Sequence, residues 1–138
     1  MSNLVRTSFS IERPLLARME QMAAQSSYTN RSEFLRDMIR QHLVEQEWQA
    51  NEVAVGTITL VYNHHSRLLT EKLTDEQHRH HDVILATMHV HLDEHMCVET
   101  ILTRGPAKQL RELAGLLRKQ KGVLHAALSM SSTGKQLV

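Results

Sequence analysis

His89, His91, Cys97 and Glu99 are the side chains whose types and spacing could do chemistry in this chain. Residues 86–100 read as a β-hairpin. Strand side chains alternate, so Leu85, Thr87, His89 and His91 share one face of its first strand, and Ala86, Met88, Val90 and Leu92 the other. The second strand, Cys97 to Thr103, is rich in Val, Thr, Ile and Leu, and Asp93-Glu94-His95-Met96 is the polar break between the two. If His91 lies opposite Cys97, then His89 lies opposite Glu99 and all four side chains share a face. Two imidazoles and a thiolate then offer three ligands to a late transition-metal ion, with a carboxylate beside one imidazole to orient it. A slip of one residue turns Cys97 to the Leu92 face and removes the site. A His-x-His strand by itself is an ordinary pair of half-buried polar residues. Cys97, the only cysteine in the chain, tips the balance towards a metal.

The chain that must position these residues has 138 of them, 41% hydrophobic and 22% charged, enough for one medium domain or two small ones. Aromatic residues are 4%, so the core must be aliphatic and Met-rich. No apolar run is long enough to span a bilayer, and no signal-peptide pattern is expected. A lone cysteine fits a reducing cytoplasm. A net charge of +1 points away from a generic polyanion binder, so any nucleic-acid contact must be a local patch. Ten histidines against two phenylalanines is a skewed usage that points towards metal.

Leu4 to Ile11 alternates, with Val5, Thr7, Phe9 and Ile11 on one side and Arg6, Ser8 and Ser10 on the other, which predicts a short strand with a polar outer face. Pro14 opens a helix with Leu15, Leu16, Met19, Met22 and Ala23 along one stripe. Asn30 is a natural N-cap for a second helix, Glu33 takes the capping-box place, and Phe34, Leu35, Met38, Ile39 and Leu43 form the buried face. One strand and two short helices cannot close a core. A symmetric dimer in which two strands pair antiparallel would close it, giving a ribbon-helix-helix unit. Such a ribbon fits the DNA major groove, where Arg6 can pair with guanine or phosphate and Ser8 and Ser10 can reach base edges. The amides at the helix start around Asn30 and Arg31 suit a phosphate. Residues 1–42 hold six arginines against four acids, a mild positive excess. The bland alternative is a dimerisation module with a solvated strand face.

After a polar joint at residues 49–52, the pattern predicts a strand over 53–62, a helix over 65–78, the hairpin over 83–92 and 97–103, a helix over 107–120 stopped by Gly122, and a strand over 123–130. The order βαββαβ predicts an α+β, ferredoxin-like sheet with two helices on one face. A disordered tail is expected from residue 132 on. Gln77-His78-Arg79-His80-His81-Asp82 falls where the first of these helices leads into the second strand. Since His89 to Cys97 lies at that strand's other end, a fourth histidine ligand from this cluster is expected to come from another subunit. The bland alternative is a solvated histidine patch.

Asn30-Arg31-Ser32-Glu33, Gln77-His78, His81-Asp82, His89-Val90-His91 and Cys97-Val98-Glu99, set in this order of elements, closely resemble the NikR nickel-responsive regulators over the chain up to about Met130. The resemblance implies a ribbon-helix-helix DNA-binding domain (1–48), a metal-binding and tetramerisation domain of ACT type (53–131), and a dimer of dimers. It implies nickel(II) held square-planar by His89, His91 and Cys97 of one subunit and His78 of its neighbour, with Glu99 supporting His89. It also implies a potassium-like cation near Glu33 and Asp37. The expected protein is a cytoplasmic, nickel-dependent repressor, with no membrane contact, that binds a palindromic double-stranded DNA operator and controls nickel-uptake genes. Ribbon serines where relatives often carry threonines suggest a different operator. Arg79 interrupts a histidine run that is often longer, and Ser66 before Arg67 weakens any non-specific DNA contact. Two alternatives stay open: the same architecture sensing cobalt, zinc or copper, and an antitoxin-type DNA binder with a protein partner. An enzyme is not expected, because four protein ligands leave no open position on the metal.

Overall fold

The computed structural model describes residues 3–138 and divides into two compact units, one ending at Arg40 and the other running from Gln41 to Val138. The first holds α1 (Arg13–Gln25) and the start of α2 (Arg31–Gln49). Pro14 sits in the first turn of α1, where its missing amide proton costs nothing. Ser27, at φ 61°, turns the chain, and Asn30 then caps α2 by accepting a bond from the Glu33 amide at 2.8 Å. Met19, Ala23 and Phe34 form a small core, with Leu16, Tyr28 and Leu35 against it. Much of the predicted apolar stripe stays open in the single chain: Leu15, Met22, Met38 and Ile39 are exposed, as are Val5 and Phe9 ahead of α1.

Residues 3–12 form neither helix nor strand, where the alternation predicts a strand. An antiparallel ribbon consists of two such segments, and a single chain carries one.

The boundary between the units falls inside α2, earlier than the joint at 49–52, because Val44 and Trp48 belong to the second core. That unit continues through β1 (Val53–Asn63), α3 (Arg67–Arg79), β2 (Ile84–His91), β3 (Met96–Pro106), α4 (Ala107–Arg118) and β4 (Val123–Ser131). The sheet order is β2-β3-β1-β4, with every neighbouring pair antiparallel. This is the ferredoxin-like arrangement that the element order predicts. Ala54, Ile58, Leu60 and Tyr62 of β1 and Cys97, Ile101 and Thr103 of β3 line the inward face. Leu69 and Leu73 of α3 and Leu110, Leu113 and Leu117 of α4 cover it. Each buried leucine adds roughly 1.5–3 kcal/mol.

Gly105 is needed where it stands: a Cβ there would lie 2.6 Å from the Val83 side chain. Gly122, at φ 105°, takes the left-handed turn after α4. The tail departs from the expectation of disorder. Leu137 packs against the second core, and Gln136 donates to the Glu52 carboxylate at 3.1 Å, so an apolar residue near the end draws the tail back.

Candidate metal centre

The register of the hairpin decides which side chains share a face, and β2 pairs with β3 so that His91 faces Cys97 and His89 faces Glu99. On its other flank β3 pairs with β1, placing Tyr62 opposite Cys97. The alternation was legible in the sequence; one detail was not. A register shift between Ile84 and Ala86 makes Ile84 the residue packed against the core, while Leu85, expected on the site face, is exposed. The shift lies at the far end of the strand and leaves the His89–Glu99 and His91–Cys97 pairs untouched.

His89 and His91 sit on the edge strand, exposed, with ring centroids 5.1 Å apart. Cys97 is buried, and its thiol donates to the Tyr62 carbonyl at 3.4 Å. Burial pushes the thiol pKa up, against a smaller downward pull from its hydrogen bonding with Tyr62, and the Glu99 charge adds to the rise. The chain therefore holds a protonated thiol until something competes for the sulfur.

Glu99 has a different set of partners from the one expected. It faces His89 across the ladder, but its carboxylate takes the Tyr62 hydroxyl at 2.7 Å on one oxygen and the Gln77 amide at 2.7 Å on the other. Thr87 in turn donates to the Gln77 carbonyl oxygen at 3.0 Å. Burial raises the Tyr62 hydroxyl pKa, and the Glu99 hydrogen bond raises it further, so Tyr62 stays a donor. Sequence reading gave no role to Tyr62 or Gln77. Tyr62 had a signal, the inward parity of its strand; the reach of Gln77 had none.

His78 and His81 line an open cleft of about 360 Å³ with Thr74, Gln77, Ile84, Thr87 and Glu99. The end of α3 thus reaches further along the sheet than expected, because Gln77, next to His78, touches the cross-strand partner of His89. His78 of the same chain therefore stands nearer to the hairpin site than the order of elements suggests. Among the described residues of this single chain, however, no three His, Cys, Asp or Glu side chains converge on a common point that could hold a metal ion.

The expected DNA-contacting residues lie in the first unit. Arg6, Ser8 and Ser10 are exposed in residues 3–12. Arg31 pairs with Glu20, which ties down a guanidinium expected to be free for phosphate. The pair named for a second cation is also engaged. Asp37 accepts from Tyr28 at 2.5 Å and from Arg40 at 3.1 Å, and Glu33 lies 4.0 Å from Arg36. The Tyr28 bond, chiefly, holds the Asp37 pKa below its ordinary value.

Comparison with known proteins adds to this geometry. Residues 55–131 match the NikR C terminal nickel binding domain, and residues 5–46 match the ribbon-helix-helix protein, copG family. The chain is 47% identical to a relative from Geotalea uraniireducens and 46% identical to one from Geobacter metallireducens, over 99% of each chain. The chain belongs to the NikR family of nickel-responsive regulators. A 44% identical relative from Pyrococcus abyssi again covers 99% of both chains, and all three carry the name of a nickel-responsive regulator. NikR proteins are regulators and not enzymes. Among solved structures, an uncharacterized Thermotoga maritima protein shares the fold of part of the chain, with a TM-score of 0.52 at 16% identity over 57% of this chain and 98% of that one. No helix among the described residues is long and apolar enough to cross a membrane.

Proposed function

We propose that this NikR protein is a nickel-dependent transcriptional repressor of nickel-uptake genes, acting in the cytoplasm on a palindromic operator. The single observation that carries the reading is the register that sets His91 beside Cys97 and His89 beside Glu99. The donor types suit nickel: imidazole nitrogen and thiolate sulfur are a set that late divalent ions prefer. His89, His91 and Cys97 of one chain and His78 of a neighbour would hold it. Bound nickel would supply a fixed link between subunits, so that binding energy is spent on assembly and on order. Glu99 holds the Tyr62 hydroxyl and the Gln77 amide, and Gln77 adjoins His78. The carboxylate therefore ties α3 to the strands of the hairpin, a wider role than supporting His89 alone.

Assembly as a dimer of dimers fits the apolar surface each unit leaves open. In the first, Val5, Phe9, Leu15, Met22, Met38 and Ile39 await a second copy. In the second, Met88, Val90, Leu92 and Leu102 are exposed on the sheet face away from the helices. Pairing of residues 4–11 between two chains would form the ribbon, with Arg6, Ser8 and Ser10 towards base edges and the α2 start at Asn30 towards phosphate. Arg31 would have to leave Glu20 to join it. A potassium-like ion at Glu33 and Asp37 would have to take Asp37 from Tyr28 and Arg40, so the free chain assigns those carboxylates to internal contacts.

Selection of bound duplexes from a random DNA library, with and without nickel, tests the reading. A palindromic sequence enriched only with nickel is expected. Equal enrichment without metal, or only with another metal, would overturn it.

A further inference from the structure

Among the described elements, α2 alone has residues in both compact units, and its last turn is bound from three directions within the second. Trp48 is 1% exposed, with its ring so close over β1 that a Cβ on Gly56 would lie 3.1 Å from it. Its indole Nε1 donates to the Ser131 carbonyl, at the end of β4, at 2.7 Å. From α4, Arg111 donates to the Trp48 carbonyl at 3.4 Å and sets its guanidinium 5.5 Å from the ring centroid. Past the helix end, Asn51 turns the chain at φ 55° and its side chain accepts from the Lys108 amide at 2.8 Å. The Glu52 carbonyl accepts from the Ala107 amide at 3.0 Å. Water can satisfy the last carbonyls of a helix, so this set of bonds is more than the helix end requires. A packed indole held by its N–H keeps one orientation, and the guanidinium fixes its face. An apolar contact alone would let the helix end slide.

We propose that Trp48 and Arg111 are positioning residues for operator binding: their clamp fixes the direction in which α2 leaves the second unit. The inference rests on the nickel-dependent operator binding proposed above, in which the start of α2 meets phosphate. That helix has 19 residues. At 1.5 Å per residue it is roughly 28 Å long, so a tilt of about 10° at the clamped end moves the other end by about 5 Å. Successive phosphates of one DNA strand are about 3.4 Å apart along the axis, so such a swing loses the register of the contact. Both residues lie outside the proposed nickel ligands, and Arg111 is exposed, so its side chain is not needed to close the core.

The test compares native, Arg111→Ala, Arg111→Lys and Trp48→Phe proteins, full-length and nickel-loaded, on the duplex that native protein enriches from a random library. Arg111→Ala and Trp48→Phe should each bind that duplex about tenfold more weakly, with nickel affinity in chelator competition unchanged. Arg111→Lys keeps a cation at the ring and should recover most of the loss. Operator affinity equal to native in both Arg111→Ala and Trp48→Phe overturns the proposal. A matching loss of nickel affinity overturns it too, because the pair would then only support the fold. Trp48 is the only tryptophan in the chain, so acrylamide quenching reads the clamp without DNA. Arg111→Ala should raise quenching at least about twofold, since the guanidinium no longer covers the ring. Quenching equal to native overturns the clamp. Native protein that enriches no duplex with nickel fails the functional reading instead, and the quenching comparison still decides the clamp.

Discussion

Replacing Gln77 with alanine should weaken nickel binding without touching a proposed ligand. The amide makes two bonds: a donation to the Glu99 carboxylate at 2.7 Å and an acceptance from Thr87 at 3.0 Å. A bond to a charged acceptor contributes about 1.5–3 kcal/mol and a neutral one about 0.5–1.5. The cleft beside Gln77 is open, so water recovers part of this, and a net loss of about 1.5–3 kcal/mol remains. Those bonds hold the end of α3, where His78 stands. If metal binding must supply that order instead, affinity falls roughly 10- to 100-fold. Gln77→Glu should do more harm, because it sets a second carboxylate against Glu99, and like charges so close cannot both stay ionised. Nickel titration against a competing chelator reads both variants, with oligomeric size as the control. Affinity of Gln77→Ala within about twofold of native would refute the reasoning, since the helix end would then need no tether.

Cys97→Ser should cost at least about a hundredfold in nickel affinity and remove any thiolate charge-transfer absorption, while circular dichroism shows the fold retained. Arg6→Ala should abolish discrimination between operator and random DNA in a mobility-shift assay and leave nickel binding intact; equal loss of both would indicate misfolding instead. Nickel binding must expel the Cys97 proton, and burial holds that thiol's pKa above its ordinary value, so affinity should climb with pH through neutrality by about tenfold per unit. A flat profile in chelator competition from pH 6 to 8 would contradict the thiolate. Gly105→Ala should destabilise the second unit by about 1–3 kcal/mol in urea unfolding of the metal-free protein, because the new Cβ meets the buried Val83.

The hairpin was legible because period-two alternation and a unique cysteine restrict the register to one choice that gathers donors. The sheet order followed from the succession of elements, since βαββαβ has few compact solutions. Three things escaped, each for a physical reason. Residues 3–12 alternate as a strand would, yet take no regular form in the single chain, which carries one of the two segments an antiparallel ribbon needs. The irregularity at Ile84 arises where the chain leaves α3 for β2, and no local pattern at Leu85 announces it. The bonds from Gln77 to Glu99 and from Tyr62 to Glu99 span 22 and 37 residues, and polar partnerships at such separations leave no periodic trace.

Complementation between two defective chains tests most directly whether the metal centre bridges subunits. His78→Ala and Cys97→Ser proteins, each unable to bind nickel tightly, are unfolded together, refolded as mixed oligomers and titrated with nickel. Tight binding restored in the mixture, and absent from either protein refolded alone, is the predicted result. A mixture as empty as its parents would contradict a site whose ligands come from two chains.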